Sequence, residues 1–205
     1  GSGMLTVVTP ATTTRLTTIA TARDHLMVGD DVSDILLGDW IDQASASIVE
    51  FCGRPFARES VRETFRGVCG YAIMLSRFPV VGTPAVVMDG TALAASDLEW
   101  DAEAGLIYRL RGLDRFAWGC RVAAVTYTAG WLLPGQTGRD LPANIEQACL
   151  TMIAARYGAR GRDPMLRSES TEGVGSASWI ATADMGALPP QAADLLTRYV
   201  RVSGF

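Results

Sequence analysis

Lysine is absent from this sequence of 205 residues: all 18 basic side chains are arginine. Histidine occurs once, at position 25. A single imidazole cannot build a His-rich metal centre. A Ser-His-Asp triad would have to use His25, and no G-x-S-x-G elbow accompanies it. A surface or core role is therefore the reading for His25. The 18 basic groups face 22 acidic ones, for a formal charge of -4. That balance argues against tight sequence-independent DNA binding, which needs many phosphate-neutralising cations. Arginine forms planar, bidentate contacts with carboxylates and suits protein interfaces; a GC-rich genome produces the same bias.

Cysteine is scarce and dispersed. Cys52, Cys69, Cys120 and Cys149 form no C-x-x-C pair. Two fall in helical patterns and two in or beside strands, so reduced, mostly buried thiols of a cytosolic product are expected. No apolar run approaches the roughly 20 residues that span a bilayer. The TTTRLTTIATARDHL stretch is Thr-rich and lacks the apolar centre of a signal peptide, so synthesis and use in a cytoplasm are expected. Gly1, Ser2 and Gly3 precede Met4 and read as a cloning remnant. No internal repeat occurs.

What is present is ordinary globular composition, with 48% apolar and 20% charged residues. The length suits one domain, or a small domain with an insertion. Residues 4–17 read as an extended arm, and a short helix is predicted from Ile19 to Met27, ended by Gly29 and Asp30-Asp31. From Ser33 to Cys52, Leu37, Trp40, Ile41, Ala44, Ile48, Phe51 and Cys52 recur at helical spacing. Ser33 or Asp34 can cap that helix, and Gly53 with Pro55 stops it. Strand patterns follow from Arg58 to Trp131: 61–65, 71–75, 85–88 with 91–93 around an Asp89-Gly90 turn, 97–101, 106–110 and 121–128. They suggest a small antiparallel sheet or sandwich. Helix returns at Pro142 and runs to Tyr157, with Gly158 as its stop. Residues 159–178 read as a long loop or arm rich in Gly, Ser and charge, Trp179-Ile180 as a short strand, and 189–200 as a last helix.

Two local patterns imitate sites. Asp97, Glu99, Asp101 and Glu103 resemble a calcium loop, but that loop needs Gly at its sixth position and Glu at its twelfth, where this chain has Ala102 and Tyr108. A solvated strand face fits better, with Leu98 and Trp100 inward. Gly173-Val174-Gly175-Ser176 lacks the Gly-Lys-Ser/Thr of a phosphate loop. No constellation unites a nucleophile, a base and an orienting group, so no catalytic, cofactor-binding or metal residues are expected.

The order of these features resembles the phage head-tail connector (adaptor) family. DILLGDWIDQASASIVEFCGRPF resembles its first long helix with a Gly-Arg-x-Phe end at Gly53-Arg54-Pro55-Phe56. Leu75-Ser76-Arg77-Phe78-Pro79-Val80 resembles the entry to its inserted β region, and Val125-Thr126-Tyr127-Thr128-Ala129-Gly130-Trp131 the turn that closes it. Leu141-Pro142-Ala143-Asn144-Ile145-Glu146-Gln147-Ala148 is similar to the start of its next helix. Arg162-Asp163-Pro164, Arg167 to Ser170 and Gly173 to Gly175 are similar to the loop after it. The resemblance covers about residues 18–200.

The resemblance implies an α+β fold: a small helical bundle with an inserted antiparallel β lobe. The expected organisation is 4–57 as N-terminal arm and helices, 58–131 as β lobe, and 132–205 as helices completing the bundle. It further implies a non-enzymatic subunit of a dodecameric ring in the virion neck, assembled in the host bacterial cytoplasm. Such a ring binds the portal protein, extends a channel through which DNA passes without sequence-specific binding, and offers a platform to the next neck or tail-completion protein. The acidic balance is compatible with a channel wall that does not hold DNA tightly. No cofactor and no membrane partner are expected. Assembly contacts are expected at Arg160, Arg162, Arg167, Glu169, Glu172, Arg198, Arg201 and Phe205, because arginine and aromatic side chains are enriched at interfaces. Residues 159–178 and 198–205 are expected to order on joining the ring or portal. Two other classes stay open: another virion neck, tail-completion or baseplate protein, and a small-ligand-binding or enzymatic α+β domain.

Overall fold

A computed structural model describes residues 4–29, 32–160, 168–171, 175–178 and 188–201. The fold is α+β, built from two compact units. One takes the chain up to Thr13 together with Pro55–Leu132; the other takes Thr14–Arg54 together with the chain from Leu133 onward.

The first unit is antiparallel β. Strand β1 (Met4–Thr9) pairs with β2 (Glu59–Val68), so the expected arm is a sheet strand at its start. After the short β3 (Ala72–Met74) come β4 (Val80–Met88) and β5 (Thr91–Ala92). Their turn is the predicted one: Asp89 and Gly90 take φ of 47° and 85°, as a primed hairpin turn demands. Then follow β6 (Leu98–Asp101), β7 (Leu106–Arg111), β8 (Asp114–Phe116) and β9 (Arg121–Ala129). One five-stranded sheet runs β1-β2-β9-β4-β5; the other runs β3-β7-β6, with β8 also on β7. β8 escapes the sequence pattern because its three residues are all exposed and so do not alternate.

Period-two patterning explains this unit's core. Val61, Glu63 and Phe65 of β2 turn inward, as do Ala123, Val125, Tyr127 and Ala129 of β9. They join Ile73, Val86, Leu98, Ile107 and Trp118 in one buried cluster drawn from both sheets. Asp97, expected on the strand, sits in a short 3-10 turn. Leu98 is buried, Trp100 half-buried and Glu99 and Asp101 exposed.

Gly130 closes this unit and explains the A-G-W string. Its φ is 97°, and a Cβ there would lie 2.5 Å from the Ala57 carbonyl oxygen and 2.8 Å from that of Phe56. The missing side chain lets Trp131 N donate to Phe56 O at 2.8 Å, and Arg58 N to Trp131 O at 2.9 Å. The Phe56 and Trp131 rings stand 5.8 Å apart.

The cysteine expectation needs correction here. The β2–β9 register ends at Val68↔Arg121, which sets Cys69 opposite Cys120. Their Cα atoms are 4.0 Å apart and the sulfurs are bonded. Cysteines 51 positions apart were brought together by strand pairing, which spacing alone does not reveal. Cys52 and Cys149 are free and buried, as expected.

The second unit is helical. α1 (Ile19–Leu26) starts at Thr18, whose hydroxyl accepts from Thr21 N at 3.1 Å, and ends at Met27 in the left-handed region. α2 (Asp34–Cys52) is capped by Ser33 and closed by Gly53 at φ 63°. α3 (Ala143–Gly158) follows Pro142, and α4 (Pro190–Leu196) follows Pro189. α2 packs on α3, α3 on α4, and α1 on both α2 and α3. Leu37, Ile41, Ile48, Ile145, Ile153 and Leu196 are wholly inaccessible. Burial of each aliphatic side chain contributes about 1.5–3 kcal/mol. Phe51, expected on the buried stripe, is 40% exposed, because Cys52 takes the inward position beside it.

Residues 159–178 are not simply a loop. β10 (Ser168–Thr171) and β11 (Gly175–Ser178) form a two-stranded antiparallel hairpin. Its Ser- and Gly-rich strands have no apolar face, so no periodicity marked them. The expected strand at Trp179-Ile180 lies outside the described residues.

Candidate assembly surface

The expected contact residues divide into those the structure describes and those it does not. Arg160 is exposed just beyond the end of α3. Arg198 is exposed, with its guanidinium 5.4 Å from the Tyr199 ring centre. Arg201 is exposed, while its backbone N–H donates to Cys52 O at 2.8 Å, tying the segment after α4 to α2. Arg198 and Arg201 follow α4 at three-residue spacing. Glu169 belongs to β10, and its backbone pairs with Ala177. Arg162, Arg167, Glu172 and Phe205 lie outside the described residues.

A second exposed surface lies on the smaller sheet of the β unit. Arg115 Nε and Nη2 donate to the two Glu99 oxygens, each at 2.8 Å. The same guanidinium stands 3.6 Å over the Tyr108 ring. Arg115 holds the Glu99 carboxyl below the ordinary carboxylate range, and Glu99 raises Arg115 in return. With Trp100, Asp101, Ala102 and Glu103 these groups line an open depression of about 410 Å³. Asp101 Oδ1 accepts from Ala104 N at 2.9 Å, which occupies it in its own turn. Among the described residues no three His, Cys, Asp or Glu side chains are grouped to hold a metal. His25 is exposed on α1. Among the described residues no helix is long and apolar enough to cross a membrane.

Sequence reasoning missed a buried polar network in the β unit. Glu63 is fully buried. Its Oε1 accepts from the Tyr127 hydroxyl at 2.6 Å and from Ser76 N at 3.0 Å. Tyr127 Oη accepts in turn from Arg77 N at 3.2 Å. Burial first, and then the Glu63 hydrogen bond, push the Tyr127 hydroxyl far above its ordinary range. The network ties β2, β9 and the segment entering β4 together. The available signal was Glu63 sitting at an inward position of a strictly alternating strand.

Also missed was the sheet edge. β1 borders the five-stranded sheet and pairs only with β2 among the described residues. Its sequence MLTVVT carries no charge. Leu5 packs on the core cluster, while Met4, Val7 and Val8 are 69%, 43% and 56% exposed.

No family model and no curated protein matches the sequence. Solved structures do match along nearly the whole chain. A chain in the neck of an empty gene transfer agent (GTA) particle, computed with C6 symmetry, is 21% identical with a TM-score of 0.59. A chain in the virion of a native GTA particle is 18% identical at 0.60. A chain in the neck of a native GTA particle, computed with C12 symmetry, is 21% identical at 0.56. Each alignment covers 98% of this chain and 97% of the other. The protein therefore shares its fold, over both units, with chains of GTA particles.

Proposed function

We propose that the protein is a structural head-tail connector (adaptor) subunit in the neck of a tailed phage, a prophage or a phage-like particle. In this reading it assembles with its own copies into a ring on the portal, lengthens the DNA channel and seats the next neck protein. The observation that carries the proposal is the end-to-end likeness to chains of GTA particles, two of them in necks computed with C6 and C12 symmetry.

The arginines suit such surfaces. Arg160, Arg198 and Arg201 offer forked donors at exposed positions, able to take carboxylates of a neighbour bidentately. The net charge of -4 suits a wall past which DNA moves without being held. Arg162, Arg167, Glu169, Glu172 and Phe205 remain proposed contacts of the same interface.

The test is co-purification of the full chain with the portal protein encoded beside it, followed by mass measurement and negative-stain imaging. A closed ring of this chain on the portal is expected. A monomer that fails to bind the portal overturns the reading.

A further inference from the structure

We infer that the free edge of β1 in one subunit accepts the β10–β11 hairpin of a neighbouring copy, so that subunits are joined by a shared β-sheet. The inference rests on the ring reading and names its contact.

β1 carries few of the usual protections of an edge strand. Every second residue of an edge strand turns its N–H and C=O outward, and natural proteins blunt such edges with charge, proline, bulges or very short strands. Within Met4–Thr9 there is no charge and no proline, and the one irregularity in the pairing lies at its end, between Val7 and Thr9. The opposite border of the same sheet shows what protection looks like. β5 is only two residues long, and β4 carries Pro84 within an irregularity between Val81 and Ala85. Among the described residues, one border is therefore closed to strand addition and the other open.

The hairpin has the complementary need. Two strands of four residues each, paired only with each other among the described residues, make a marginal structure in water. Adding them to an existing sheet satisfies one row of backbone groups on each side. Strand addition draws its affinity from main-chain hydrogen bonds, so it suits the Ser- and Gly-rich sequences SEST and GSAS, which offer little apolar surface.

Symmetry selects this partner over a second β1. Pairing β1 with β1 is isologous and stops at a dimer, whereas pairing β1 with a different element is heterologous and generates a ring when the rotation closes. Two structures with this fold are necks computed with cyclic symmetry, C6 and C12.

The test uses two full-length preparations, Thr6→Cys and Ser170→Cys, with a short bis-maleimide. Thr6 is exposed, and the native free thiols Cys52 and Cys149 are buried and silent. The expected result is a cross-linked species only when the two preparations are mixed, abolished by adding Val7→Pro to the first. Cross-linking within the Thr6→Cys preparation alone would show β1–β1 pairing and overturn the inference. Absence of any cross-link also overturns it. If the unmodified chain still forms rings in that case, the ring reading stands and only this contact is wrong; if it is monomeric on the portal as well, both fail.

Discussion

Glu63 in the β unit and Glu146 in the helical unit are both buried carboxylates, yet their surroundings differ. Glu63 is wholly inaccessible and is met by neutral donors, the Tyr127 hydroxyl and the Ser76 amide. Glu146 keeps 8% exposure and is met by Arg139 Nη2 at 2.7 Å and the Thr17 hydroxyl at 3.1 Å. A carboxylate with a cation and a route to water tolerates loss of a partner. A carboxylate wedged among neutral donors binds the register of its strands, because displacing it strands several polar groups at once. The same contrast runs through the glycines. Gly130 faces backbone carbonyls, while Gly38 of α2 faces a side-chain end, the Arg15 guanidinium paired with Asp42, whose Nη2 would lie 3.2 Å from a Cβ.

The largest effect that sharpens this contrast belongs to Gly130→Ala. The new methyl meets two carbonyl oxygens in a left-handed backbone, so a loss of about 4 kcal/mol is expected from combined strain and displacement. Denaturant unfolding measures it, and a loss below about 1 kcal/mol would show that the A-G-W turn is not the closure described above.

Next comes the pair of carboxylates. Glu63→Ala leaves the Tyr127 hydroxyl and Ser76 amide unpaired in the core and should cost about 3–4 kcal/mol, against about 1–2 kcal/mol for Glu146→Ala. Equal losses would remove the distinction between the units. Reduction of Cys69–Cys120 closes the same comparison from another side. It releases a loop 51 residues long and should cost the β unit about 4 kcal/mol by chain entropy. The helical unit, whose Cys52 and Cys149 are unbonded, should keep its hydrogen-exchange protection.

A smaller effect appears at high pH. Burial pushes the Cys149 thiol from 9.0 up to about 12. A folded pKa above the unfolded one gives stability that is complete below pH 9.0 and is lost as pH rises toward 12, by about 1 kcal/mol per pH unit for this thiol. Cys149→Ala should flatten that part of the stability profile. The smallest effect is Gly38→Ala. The Arg15 guanidinium is paired with Asp42 at 2.7 and 2.8 Å, so a shift of a few tenths of an ångström strains that exposed pair while helix propensity favours alanine by roughly 0.5–1 kcal/mol; the variant should stay within about 1 kcal/mol of the parent.

Helical spacing from Leu37 to Cys52 made α2 legible, and Ser33 and Gly53 marked its ends. Asp89-Gly90 announced the β4–β5 hairpin for the same reason, since positive φ restricts residue choice. What stayed hidden depended on pairing partners. MLTVVT carries strand propensity but nothing that says which strand it joins. The Cys69–Cys120 bond needed the β2–β9 register, and β8 and the β10–β11 hairpin lack an apolar face to set a period. Of the expected contact residues, Arg160, Arg198 and Arg201 are placed on exposed positions. An interface signature in composition shows which residue types to look for, not which copy they meet.

The most direct measurement is native mass determination of the full chain bound to its portal, paired with negative-stain class averages. A ring of this chain with the cyclic symmetry of a neck is the predicted result. A single copy per portal, or no complex at any concentration, would contradict it.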